Sequence, residues 1–142
     1  MEDIEVEFCK ETYSSYVEPV EKLHPGFAEK LIEDFRRYKQ TQCDEIPEYF
    51  GRDAPYEWPP AIAGCLHHIH LCIPPRKFNK RHAQSDRTCS KDNDVALVYA
   101  QNKYDLNRYK IIGVLTPAAH AKARCSQTML YLGGIAREFK HS

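Results

Sequence analysis

Alternating apolar and polar positions mark residues 66–73 as a strand that carries three histidines. Successive side chains of an extended strand point to opposite faces. Ile69, Leu71 and Ile73 share one face with His67, and that face is expected to lie against the core. His68 and His70 lie side by side on the other face. The pattern therefore predicts a strand that presents two imidazoles on one surface, and we take this pair as the candidate centre of function.

The same periodicities predict the elements before this strand. Alternation over residues 4–8 predicts a first strand, whose charged face suits the edge of a sheet. Residues 12–23 are weakly helical, whereas an apolar stripe over residues 26–41 predicts a firm helix. Residues 42–64 contain four prolines, which exclude a regular helix, and are predicted to form a long ordered loop. One strand and one or two helices thus precede the histidine strand.

Two strands and a helix follow it. Residues 95–101 and 109–115 are rich in β-branched and aromatic residues, and with the histidine strand they predict an antiparallel three-strand meander. A helical apolar stripe over residues 129–139 closes the chain. This order is typical of an α+β fold, and a single domain over residues 1–142 is expected. Helices on one face of the sheet would leave the candidate chemistry on the opposite face: His68, His70, Tyr99 and, just past the last strand, His120.

Composition supports a folded, water-soluble protein. Hydrophobic residues make up 42% of the 142 residues and aromatic residues 11%, enough for a real core. No apolar run approaches the roughly 20 residues that span a bilayer. The acidic N-terminal residues argue against a signal peptide, so a cytoplasmic location is expected. The six cysteines are scattered without a C-x-x-C pair, which favours reduced thiols over disulfides.

A net charge of zero conceals an uneven distribution of charge. Residues 1–60 hold 15 acidic and 7 basic side chains, whereas residues 61–142 hold 5 and 13. Six of the basic side chains lie in residues 76–91, among them Lys80 and Arg81. These two are candidate contacts to the phosphates of a nucleic acid. The alternatives are a solvated hairpin tip and two halves that neutralise each other on folding.

A series of short motifs carries a family resemblance. In chain order they are Phe50-Gly51-Arg52-Asp53-Ala54, Trp58-Pro59, His68-Ile69-His70-Leu71, Arg87-Thr88, Leu97-Val98-Tyr99, and Leu115-x-Pro117-x-x-His120 followed by Arg124. Together they resemble the YafO family of bacterial type II toxins over roughly residues 25–140. The chain is also similar, more distantly, to the RelE toxins.

This resemblance implies a RelE-like fold and a ribosome-dependent mRNA interferase without a cofactor, neutralised by a cognate antitoxin. It places His68 and His70 where RelE toxins carry two basic residues, one apart, on the equivalent strand. His120 lies near the arginine or histidine that those toxins place after the last strand. Two departures are a neutral net charge, where RelE toxins are strongly basic, and histidines in place of lysines.

Cleavage of RNA without a metal requires three kinds of group. A base must take the proton of the 2′-hydroxyl, cations must stabilise the phosphorane, and an acid must protonate the leaving 5′-oxygen. Histidine serves as either base or acid near neutral pH. We therefore expect His68 or His70 to be the base and His120 the acid, with Arg87 and Arg124 stabilising charge on the phosphate.

Two further residues have competing interpretations. Arg52 is a candidate RNA contact, but a structural turn in which it forms an ion pair with Asp53 is the alternative. Tyr99 is a candidate for stacking on a base, with a core tyrosine as the alternative.

Two other classes of function remain open. His-x-His on a strand, together with a distant third histidine, is a recognised ligand set for zinc. A non-catalytic protein that binds the ribosome or RNA would arrest translation without cutting the message. The partners expected from the sequence are accordingly an antitoxin, the ribosome and mRNA, with no membrane.

Overall fold

The computed structural model describes residues 3–72 and 94–142. In chain order the elements are β1 (Glu5–Phe8), α1 (Lys10–Tyr16), α2 (Glu18–Leu23), α3 (Phe27–Gln40), β2 (Phe50–Pro55), a 3₁₀ turn (Pro60–Ile62), β3 (His67–Leu71), β4 (Val95–Gln101), β5 (Arg108–Leu115), α4 (Ala119–Ala123) and α5 (Ser126–Lys140). None of the helices in these two ranges is long and apolar enough to cross a membrane.

The strands in these two ranges form one five-stranded sheet in the order β1-β5-β4-β3-β2. The pairs β2–β3, β3–β4 and β4–β5 are antiparallel, and β1 lies parallel to β5. The predicted meander and the edge position of the first strand are therefore confirmed, as is the α+β class. The histidine strand is not at an edge, because β2 and β4 flank it.

The predicted long loop over residues 42–64 is wrong in its middle, which forms β2. Phe50 pairs with Leu71 and Asp53 with Ile69, with an irregularity in register between them. The prolines that suggested a loop precede the strand, occupy its last position or follow it. Proline is tolerated at such positions because it interrupts no central hydrogen-bond ladder. The sheet consequently has one strand more than the sequence pattern predicted.

The helical segments agree with the sequence in outline and differ in detail. The weakly helical residues 12–23 belong to two helices, α1 and α2. Pro19 lies in the first turn of α2, where a backbone N–H would have no hydrogen-bond partner within the helix, so its absence does not destabilise the helix. The firm helix corresponds to α3, with Leu31 and Phe35 fully buried. In α5, a Cβ at Gly133 would lie 2.6 Å from Ile62, so this glycine allows the 3₁₀ turn to pack against the helix.

Both faces of the sheet are covered, which corrects the expectation that one face is free of helices. Along β4, Leu97 and Tyr99 belong to the core cluster under α3. The alternate residues Ala96 and Val98 belong to a second cluster, which includes the apolar stripe of α5. Side chains on β4 alternate between these two cores, and the small alanines leave room for the C-terminal helix. His70 pairs with Ala96, so the histidine pair lies on the α5 face.

The apolar side of β3 lies against the core, as predicted. Ile69 and Leu71 are fully buried in the cluster under α3. His67 shares this face, is half-buried and stacks on Tyr99 with ring centroids 5.3 Å apart. The five cysteines that the structure describes carry free thiols, so the prediction of reduced cysteines is confirmed for them.

Candidate active site

Three imidazole rings lie in a row where β3 and α4 meet. The centroids of His68 and His70 are 5.3 Å apart, with ring planes at 84°. The centroids of His70 and His120 are 5.7 Å apart, with planes at 26°. We call these three residues the histidine cluster. The structure therefore brings together the three histidines that the sequence singled out as acid–base candidates.

The position of His120 is set by Asp94, which the sequence analysis missed. His120 Nδ1 lies 2.7 Å from Asp94 Oδ1, and the backbone N–H of His120 donates to both carboxylate oxygens at 3.1 Å. The backbone N–H of Ala119 donates to the carbonyl oxygen of Asp94 at 3.0 Å. One acidic residue at the start of β4 thus fixes both the first turn of α4 and the ring of its histidine. A carboxylate on Nδ1 leaves Nε2 as the nitrogen available for chemistry.

Burial keeps the two strand histidines neutral near pH 7. Burial lowers the pKa of His68 to about 4, and the neighbouring charge on His70 contributes to the shift. The Tyr56 ring stacks on the His68 ring at 4.0 Å and 11°. His68 Nδ1 is buried and has no hydrogen-bond partner among the described residues. The pKa of His70, which is 6% exposed, is also lowered, first by burial and then by His120.

Of the candidate cationic residues, two lie in the described ranges. Arg52 is exposed on β2, two residues before Ala54, which pairs with His68, and its charge contributes to the lowered pKa of both His68 and His70. Arg124 is exposed directly after α4, four residues beyond His120, a spacing that puts both on one side of a helical turn. Arg87, Lys80 and Arg81 fall in residues 73–93, outside the described part of the chain.

Tyr99 is not brought to the histidine cluster. It is 3% exposed in the core under α3, on the opposite face of the sheet. Its hydroxyl donates to Asp53 at 2.8 Å and accepts from Lys39 Nζ at 2.9 Å. Burial and the nearby Asp53 carboxylate raise the pKa of Tyr99, so the phenol stays protonated. The interpretation of Tyr99 as a core residue is therefore the one that the structure supports.

The expected ion pair between Arg52 and Asp53 is replaced by another. Asp53 forms an ion pair with Lys39, with Nζ and Oδ2 3.1 Å apart, and accepts a hydrogen bond from Tyr38. Adjacent residues of a strand face opposite ways. On β2, Arg52 accordingly lies near the histidine cluster while Asp53 is bound under α3.

Comparison with known proteins identifies the family. The model of the family described as "Toxin YafO, type II toxin-antitoxin system" matches residues 36–141, about three-quarters of the chain. The chain belongs to the YafO toxin family. The mRNA interferase toxin YafO of Escherichia coli (strain K12) is 32% identical over 114 residues, which cover 78% of this chain and 83% of that protein. No solved structure matches.

The part matched by the family model contains the whole histidine cluster of this YafO-family toxin, together with Asp94. A toxin of a type II system implies a cognate antitoxin as partner, so that prediction from the sequence is confirmed in this general form. In chemical terms the cluster offers neutral imidazoles beside an imidazole that is held by a carboxylate. A neutral imidazole can accept a proton and an imidazole oriented by a carboxylate can donate one, and these are the two transfers of general acid–base catalysis.

Within residues 3–72 and 94–142, no group of three His, Cys, Asp or Glu side chains is placed to share a metal ion. The three-histidine metal hypothesis thus receives no support from the described side chains.

Proposed function

We propose that this YafO-family toxin is a ribosome-dependent endoribonuclease that cuts mRNA by metal-independent acid–base chemistry. The observation that supports it most is the stack of His70 on His120, whose ring is held by Asp94. We further propose that residues 1–142 act as one domain with a RelE-like arrangement. Action on translating ribosomes would place the toxin in the cytoplasm.

Cleavage requires one proton to be removed and another to be delivered. His68 or His70, neutral at pH 7 because burial lowers its pKa, takes the proton of the ribose 2′-hydroxyl. The resulting oxygen attacks the adjacent phosphorus. His120 donates a proton to the 5′-oxygen as its bond to phosphorus breaks. The products are a 2′,3′-cyclic phosphate and a 5′-hydroxyl, so no external reactant is consumed.

Charged side chains would assist the proton transfer from His120 and would offset the charge on the phosphorane. Asp94 orients the ring of His120 through Nδ1 and leaves Nε2 for proton transfer to the leaving oxygen. Arg52 and Arg124 are the described cations that would offset charge on the phosphorane. From the sequence we propose the same role for Arg87, and RNA phosphate contacts for the neighbouring pair at positions 80 and 81.

Requirement for the ribosome is supported by the charge of the chain. Its formal net charge is zero, so long-range attraction for free RNA is weak compared with that of a strongly basic nuclease. A ribosome that presents the message would supply the missing affinity and orientation.

The test is induction in growing bacteria, followed by primer extension on a reporter message with and without a translation block. Replacing His68, His70 or His120 singly by Ala should lower cleavage, by about 10²- to 10⁴-fold for each residue that transfers a proton. His141→Ala is the matched control, because His141 is exposed at the C-terminal end of α5. Wild-type cleavage by all three variants would exclude the acid–base assignment, and cleavage during the translation block would exclude ribosome dependence.

Two outcomes would favour the alternatives. Growth arrest with an uncut message would indicate a non-catalytic inhibitor that binds the ribosome or RNA. Near-stoichiometric zinc in the purified protein would favour the three-histidine metal site.

The role of Asp94 has a separate test. Asp94→Asn should lower cleavage by about tenfold or more, because the amide does not hold the imidazole of His120 in the same tautomer and orientation. The same substitution should have no further effect in a His120→Ala background, because residues that act as one unit are not additive. Equal losses in both backgrounds would mean that Asp94 does not act through His120.

A further inference from the structure

An aromatic side chain extends the histidine cluster toward the end of β2. The Tyr56 ring lies flat on His68, at 4.0 Å. Its backbone N–H donates to the carbonyl of Leu66 at 2.8 Å, and its carbonyl accepts from the N–H of Gly64 at 2.9 Å. With both backbone groups bonded, Tyr56 is fixed against the cluster and is suited to position His68.

Trp58 follows two residues later and is 48% exposed. Two residues span at most about 7 Å, so its backbone stays close to Tyr56. The next residue, Pro59, is buried, and its carbonyl accepts from the N–H of Ile62, which packs against α5. The half-exposed indole is therefore carried by a short segment that is anchored on both sides and begins at the ring that stacks on His68. We call this segment, Tyr56 to Trp58, the rim of the histidine cluster.

The chemistry of this rim matches single-stranded RNA. Aromatic rings bind any nucleobase, because every base presents a π-face. Arg52 is exposed on β2, two residues before the position that pairs with His68, and its guanidinium would pair with a phosphate. The nucleobase, the phosphate and the ribose 2′-hydroxyl thus have an aromatic ring, a guanidinium and an imidazole, respectively, as candidate partners in this part of the protein.

We propose that Trp58 stacks on the nucleobase next to the scissile phosphate, while Tyr56 acts as a positioning residue for His68. This inference rests on the proposed endoribonuclease function. It assigns to Trp58 the base-stacking role for which the sequence had suggested Tyr99. The ligand is a nucleotide of single-stranded mRNA, bound by its π-face and therefore with little preference among bases.

The experiment compares Trp58→Ala with Trp58→Phe in cleavage of a message on purified translating ribosomes. Trp58→Ala should raise the ribosome concentration needed for half-maximal cleavage by about 5- to 150-fold, the range for loss of one base–aromatic stack. Trp58→Phe should stay within about threefold of wild type, since a phenyl ring still stacks. Tyr104→Ala is the matched control, because this tyrosine is 70% exposed in the turn between β4 and β5, and β3 separates these two strands from β2 in the sheet. Equal urea midpoints for all variants would establish that each is folded.

The outcomes separate this inference from the function on which it rests. If wild type cuts and Trp58→Ala cuts equally well at low ribosome concentration, the stacking role is wrong while the endoribonuclease proposal stands. If Trp58→Phe loses as much as Trp58→Ala, a role other than stacking is indicated. If Trp58→Ala cuts normally but is no longer neutralised by the antitoxin, the indole belongs to the antitoxin interface instead. If wild type does not cut at all, the endoribonuclease proposal fails and this inference fails with it.

Discussion

Acidification should destabilise this YafO-family toxin through His68. Burial lowers the pKa of His68 from 6.5 to about 4 in the folded chain, whereas the unfolded chain keeps the ordinary value. Below pH 6.5 the unfolded state therefore binds more protons, and the free energy of unfolding falls as the pH decreases. A difference of one pKa unit between the two states corresponds to about 1.4 kcal/mol. The free energy of unfolding therefore falls by about 3 kcal/mol in total once the pH is below 4, and about 2 kcal/mol of this decrease occurs between pH 7 and pH 5.

The measurement is the free energy of unfolding in urea at pH 7 and pH 5 for wild type and His68→Gln. The variant should lose about 2 kcal/mol less than wild type over this interval, because glutamine does not titrate. His67 and His70, whose pKa values are also lowered, contribute with the same sign to both proteins, so the difference isolates His68. Parallel pH dependences for wild type and His68→Gln would refute the argument.

Two further predictions concern the packing on either side of the sheet. Gly133→Ala should lower the free energy of unfolding by about 1–3 kcal/mol, because the added methyl would overlap Ile62. Gly134→Ala, in the same helix with nothing within 4 Å of its Cβ position, should instead raise it by up to about 1 kcal/mol, and similar effects at both sites would contradict the close contact. Asp53→Asn should lower the free energy of unfolding, measured in urea at pH 7, by about 2–4 kcal/mol, because it leaves the mostly buried Lys39 without its counter-charge. A decrease below about 0.5 kcal/mol would show that the ion pair between Asp53 and Lys39 does not stabilise the fold.

Local periodicity in the sequence was sufficient to predict much of the fold and the part of the histidine cluster that lies on β3. The apolar stripe of α3 and the alternation along β3 are properties of neighbouring residues, so both could be predicted without knowing what packs against them. The same alternation put His68 and His70 on one surface. The motifs around these residues also gave the toxin family, which the family match confirms.

β2 shows where local pattern fails. Its six residues are flanked by prolines and carry no clear alternation, so the segment resembles a loop. The segment forms a strand because it pairs with β3. The Asp53 carboxylate also holds it in place under α3, through its ion pair with Lys39 and its hydrogen bond from Tyr38. Those partners are brought together only when the sheet and helix have packed.

The sequence by itself determined the positions of α3 and of most of α5, which face of β3 carries the histidine pair, and to which family the chain belongs. Tertiary structure alone decided that Asp94 holds His120, that Tyr56 lies on His68, and that Tyr99 belongs to the core. The physical reason is distance along the chain. Asp94 and His120 are 26 residues apart, and no periodicity links two side chains that meet only after strands β4 and β5 have paired between them.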